Sequence, residues 1–128
     1  MPVKQRIDTP HMPPPPPQTW SNCLVVGNQV FLAGMADNTA GNDMYGQAKN
    51  VFTKMKHNME AAGGKMDDIV KVTIFVTDHS RREEVWKARR EFFTGDFPVS
   101  TLVQVDVVGG GLGFLVEIEA VGFLGAGG

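Results

Sequence analysis

The chain has 128 residues, room for one compact domain, and its 42% hydrophobic share is enough to build a core. Cys23 is the only cysteine, which excludes an intrachain disulfide and a cysteine-based zinc cluster and suits a reducing compartment. A formal net charge of -2 gives no basic footprint for nucleic acid. No apolar run approaches the ~18 residues of a membrane span, and no charged-then-apolar leader opens the chain, so a soluble cytoplasmic protein is expected.

Residues 1–19 read as a Pro-rich arm. The run Pro13 to Pro17 can enter neither a helix nor a central strand and should be polyproline-like. Cys23 to Val26, then Gly27-Asn28, then Gln29 to Ala33 reads as a hairpin, with the Gly-Asn pair supplying the positive φ angles of a two-residue turn. Gly34 to Gly46 is polar and glycine-rich and reads as a loop. A helix is expected from Met44 to Ala62, because Ala48, Val51, Phe52, Met55, Met59 and Ala62 recur at three- and four-residue spacing. His57 lies off that stripe and reads as a surface residue.

Lys71 to Thr77 reads as a strand, with Val72, Ile74 and Val76 sharing a face. Ser80-Arg81-Arg82-Glu83 has the form of a capping box, so a second helix is expected from there to Phe93, with Gly95 ending it. Arg81, Arg82, Lys87, Arg89 and Arg90 cluster on it but alternate with Glu83, Glu84 and Glu91, the pattern of a solvated helix face rather than an RNA patch. Strands follow at Ser100 to Val107 and Phe114 to Phe123, joined by Gly109-Gly110-Gly111. That glycine run precedes no helix and reads as a flexible turn, not a phosphate loop. The tail, residues 124–128, should be flexible.

About five strands and two helices in this order describe an α+β domain, a mixed sheet with both helices on one face. The strands nonetheless carry apolar residues on both faces. A lone copy would leave a half-apolar sheet face in water, so self-association is expected.

Several strings, in the right order, resemble the Rid/YjgF family of enamine and imine deaminases, also labelled endoribonuclease L-PSP. They are Val26 to Gly34; Gln47-Ala48 with Val51, Asn58 and Glu60 to Gly64; Asp67 to Asp78; Phe92-Phe93; Pro98 with Val103 to Val105; and Val116 to Ala120. The resemblance covers residues 20–123. It implies a chorismate-mutase-like ββαβαββ fold and a homotrimer with a barrel-like core. It also implies cofactor-free and metal-free hydrolysis of small imines or enamines in clefts between subunits.

Where the family usually reads Pro-Ala-Arg-Ser, this chain has Pro98-Val99-Ser100-Thr101, so Ser100 stands at the position of the arginine that clamps the substrate carboxylate. A serine cannot make that bidentate contact. The family's water-positioning glutamate matches Glu117, and its Ser-Gly matches Ala33-Gly34. Its cleft tyrosine matches Trp20, an asparagine on the second helix matches Trp86, and the residue two after the arginine matches Leu102.

The resemblance thus points to Glu117 as the catalytic residue, with Trp20, Ala33, Gly34, Trp86, Ser100, Thr101 and Leu102 as substrate contacts. The changes share a direction, towards a more apolar and less cationic cleft. A compensating cation could come from Arg89, Arg90 or Lys71, but nothing in the sequence places one there. Two functions follow, a divergent hydrolase or a non-catalytic trimer holding an apolar or aromatic ligand. An RNA-related activity ranks third.

Overall fold

A computed structural model describes residues 3–128; the first two residues of the arm lie outside it. Its elements in chain order are β1 (Lys4–Ile7), β2 (Cys23–Val26), β3 (Gln29–Ala36), α1 (Met44–Ala61), β4 (Ile69–Val76), α2 (Arg82–Arg89), β5 (Val99–Gln104) and β6 (Val116–Phe123). The strands form one six-stranded sheet in the order β1-β2-β3-β6-β4-β5. Every neighbouring pair is antiparallel except β4 and β5, whose parallel pairing uses α2 as the crossover.

The helical stripe buries as its spacing requires. Ala48, Val51, Phe52, Met55 and Met59 are fully buried against Val30, Leu32, Val72, Ile74, Val76, Val116 and Ile118, one face of the sheet. Phe52 meets Phe92 and Phe93 at centroid distances of 5.4 and 5.8 Å, which closes α1 onto the end of α2. The opposite sheet face carries Phe31, Thr73, Phe75, Glu119 and Val121 and is left uncovered by this single chain; Phe31 is 39% exposed.

Several expectations from the sequence are corrected. The sheet has a sixth strand, β1, inside the arm; it pairs with β2 along the register Lys4↔Val26 to Ile7↔Cys23. The arm is also docked: His11 stacks on His57 at 3.8 Å, and the Met12 sulfur accepts from Asn58 Nδ2 at 2.9 Å. In the β2–β3 turn only Gly27 takes a positive φ, of 62°, and Asn28 does not. The Ser80 capping box does not form. Instead Asp78 caps, accepting from Ser80 N at 3.0 Å, a short 3-10 turn that precedes α2. α2 stops at Arg89, four residues early, because the backbone tightens to bonds such as Phe92 N to Arg89 O. At the tail, the carboxylate of buried Asp68 accepts from Gly127 N at 2.8 Å.

One buried polar side chain sets the height of β6. Gln47, with no exposed surface, donates to Gly41 O at 2.8 Å and Gly113 O at 2.7 Å and accepts from Leu115 N at 2.9 Å. α1 is thereby tied to the loop that delivers Glu117.

Candidate active site

β2 pairs with β3 only as far as Cys23↔Leu32, so the rest of β3 runs on without that neighbour. The arm fills the vacated edge. Asn22 anchors it: Nδ2 donates to Pro13 O at 3.3 Å, and Oδ1 accepts from the Trp20 indole N–H at 3.2 Å. At Gln18, φ is 59°, the only positive value on a non-glycine among the described residues, where the chain turns out of the proline run.

Between arm and sheet lies a cavity of about 470 Å³ lined by Pro13 to Pro16, Trp20, Gly34, Lys54, Gly109, Phe114 and Glu117. A bulge builds its sheet side. Leu32 faces Ala120 and Met35 faces Ile118, so Ala33 and Gly34 together oppose Glu119. The bulge brings Gly34 against Glu117, where a Cβ on residue 34 would lie 2.6 Å from Glu117 Oε2. Glu117 Oε1 accepts from Gly109 N at 3.0 Å, which anchors one oxygen of the carboxylate.

A cation reaches this cavity. Lys54 Nζ is 3.1 Å from Asp37 Oδ2 and donates to Ala36 O at 3.1 Å. Burial alone would raise the Asp37 carboxyl. The Thr39 hydroxyl and N–H, with Lys54, outweigh it and hold its pKa down at about 2, so the pair stays ionised.

A second cavity, of about 340 Å³, lies between α2 and β5 and is lined by Trp86, Arg89, Arg90, Phe97, Pro98 and Ser100. Arg89, one of the candidate compensating cations, reaches the serine: its Nη1 donates to Ser100 Oγ at 2.9 Å. Burial, and then the neighbouring Arg90, push the Arg89 pKa down from the usual arginine range. Lys71, the third candidate cation, lies with Phe31, Thr73 and Glu119 around a different cavity on the open sheet face.

The residues expected to share one cleft therefore divide. Trp20, Gly34 and Glu117 are together in the arm cavity, and Trp86 and Ser100 are together in the α2–β5 cavity. Glu117 pairs with Phe75 and Ser100 with Val72, so strand alternation points them to opposite faces of the sheet. Thr101 pairs with Thr73 and points away from Ser100, while Leu102 shares the face of Ser100 but packs on the core. Ala33 lines the open-face cavity with Glu119. Sequence reasoning missed Lys54, Gly109, Phe114 and the Asn22 anchor. Only the three consecutive glycines gave a signal, and they read as a turn. Among the described residues, no cluster of three or more His, Cys, Asp or Glu could hold a metal.

A family model described as Endoribonuclease L-PSP matches residues 11–123. The chain belongs to this family. It is similar to a 2-iminobutanoate/2-iminopropanoate deaminase from Dermatophagoides farinae, 36% identical over 82% of this chain and 86% of that relative. Among solved structures it resembles a protein of unknown function from Pseudomonas aeruginosa, with a TM-score of 0.89 and 34% identity over 98% of this chain and 95% of that one. It also resembles RidA from the Antarctic bacterium Psychrobacter, with a TM-score of 0.83 and 29% identity over 94% and 99%. The Rid/YjgF fold expected from the sequence is thus the fold observed, and the family match begins inside the arm. No helix among the described residues is long and apolar enough to cross a membrane.

Proposed function

We propose that this protein is a divergent Rid-type hydrolase that deaminates a small imine or enamine, working as a cytoplasmic homotrimer whose clefts each join two half-sites from neighbouring copies. The observation that carries the reading is the Glu117 carboxylate, fixed through one oxygen by Gly109 N and packed against Gly34 in a cavity of about 470 Å³. The division of Glu117 and Ser100 between opposite sheet faces supports the joined cleft, since one copy cannot bring them together. The uncovered, partly apolar sheet face supports association.

In this reading a water beside Glu117 adds to the imine carbon. The carboxylate takes the water's proton as the C–O bond forms, and that proton passes to the nitrogen. Glu117 then takes the hydroxyl proton of the resulting carbinolamine and returns it to the same nitrogen, and the C–N bond breaks to release ammonia as the C=O bond forms. General base catalysis of this kind contributes on the order of 10²–10⁴-fold.

Ammonia release from 2-iminopropanoate generated in situ tests it, beside a Glu117→Gln variant. We expect the variant to be slower by on the order of 100-fold. An unchanged rate would remove Glu117 from the chemistry. A second reading, a trimer that binds an apolar or aromatic ligand without reaction, is favoured by the proline, Trp20 and Phe114 lining of the same cavity. Tight binding with no ammonia release from any imine would select it. RNA cleavage ranks third, because the net charge is -2 and Arg81, the most tightly held of the α2-region cations, is paired with Glu84 at 2.6 Å.

A further inference from the structure

Arg89 is the half-buried cation that lines the α2–β5 cavity, and nothing anionic answers it. Its guanidinium contacts the neutral hydroxyl of Ser100, and no carboxylate lies within 4.0 Å of it among the described residues. The nearby acids are engaged elsewhere. Glu84 is held by Arg81, and Glu91 accepts from Tyr45 Oη at 2.6 Å and pairs with Lys49 at 3.5 Å. A second cation, Arg90, lines the same cavity and raises its positive potential. A half-buried guanidinium whose only side-chain partner is a neutral hydroxyl is free to bind an anionic ligand.

The cavity specifies what that ligand is. Its other walls are the Trp86 indole, Phe97 and Pro98. Flat apolar walls beside a planar five-donor fork match a flat molecule with one carboxylate on an apolar or aromatic body. Ser100 accepts one N–H and so fixes the direction of the fork, leaving the rest of the guanidinium for the ligand.

We propose that Arg89, at the end of α2, is the carboxylate-binding residue of the α2–β5 half-site, that Ser100 orients it, and that the half-site takes a small carboxylate carrying an apolar or aromatic group. This deepens the hydrolase reading by naming the substrate class, and it rests on that reading only for the joining of this half-site to Glu117.

Calorimetric titration of the full chain with benzoate and with its neutral isostere benzamide tests it apart from turnover. Benzoate is expected to bind at least ~10-fold more tightly than benzamide, and Arg89→Gln to weaken benzoate on the order of 30-fold, to the level of benzamide. Arg89→Lys, which keeps the charge but loses the fork, should fall between. Lys56→Gln, an exposed change on α1, should leave both affinities as they are. Equal binding of benzoate and benzamide, no binding of benzoate at tens of millimolar, or an unchanged benzoate affinity in Arg89→Gln would each overturn the assignment. Should Arg89→Gln fail to fold, the two ligands on the unmodified protein and Arg89→Lys still decide. A protein that binds benzoate through Arg89 but releases no ammonia from any imine loses the hydrolase reading and keeps this one.

Discussion

The Glu117 carboxylate occupies the space that a side chain on residue 34 would need, with Oε2 only 2.6 Å from where a Cβ would stand. Close approach, rather than backbone conformation, is what favours glycine there. In Gly34→Ala the carboxylate must swing away and give up Gly109 N. We expect a cost of about 1–2 kcal/mol and a loss of ammonia release comparable to that of Glu117→Gln. In a Glu117→Ala background the same alanine should cost less than about 0.5 kcal/mol. Urea unfolding of the four proteins gives the coupling, and additive costs would refute the contact.

Gln47→Leu removes a side chain that serves three backbone groups, Gly41 O, Gly113 O and Leu115 N. The leucine fills the space but leaves those groups without their partner, at a cost of about 2–4 kcal/mol. Hydrogen exchange should quicken first in the loop before β6, with the strand pairs of β2 and β3 protected as before.

Asp37 gives an acid-side dependence of stability. Its carboxyl is depressed from 3.8 to about 2 in the folded protein, so the folded state binds its proton less readily than the unfolded state. The stabilisation is complete above about pH 4 and is lost as pH falls towards 2, a contribution of about 2 kcal/mol. Asp37→Asn should lower stability at pH 7 by about that amount and flatten the decline between pH 4 and pH 2. Urea midpoints at pH 7, 4 and 3 measure it, and parallel pH profiles for the two proteins would count against it.

Cys23 is fully buried, and burial, with a smaller effect of Asp8, pushes its thiol pKa up to about 11. Iodoacetamide at pH 8 should leave the folded protein unmodified and label it completely once it is unfolded in urea. Rapid labelling of the native protein would show that β1 opens away from β2.

Periodicity carried the secondary structure, since residues three and four apart must share a helix face and alternate residues must share a strand face. The buried stripe of α1 and the inward triplet Val72, Ile74 and Val76 are where their spacing puts them. β1 was not legible because Lys4 to Ile7 is a mostly polar edge strand with little apolar pattern to show. The α2 boundaries misled because Asp78 caps in place of Ser80, and two residues that can both cap are not ranked by spacing alone.

Sequence by itself determined the family and fold, the position of Glu117 on β6, and the absence of an arginine at residue 100. Those follow from residue identity and order. Tertiary structure alone decided that Glu117 and Glu119, on the same face of β6, line different cavities, Glu117 the one beneath the arm, because a bulge at Ala33-Gly34 and the Gln47 tie set where β6 sits. It alone also put Arg89 on Ser100, a contact across 11 residues between a helix end and an edge strand. No local pattern encodes a contact of that kind, because it depends on where the parallel β4–β5 pairing leaves the two segments.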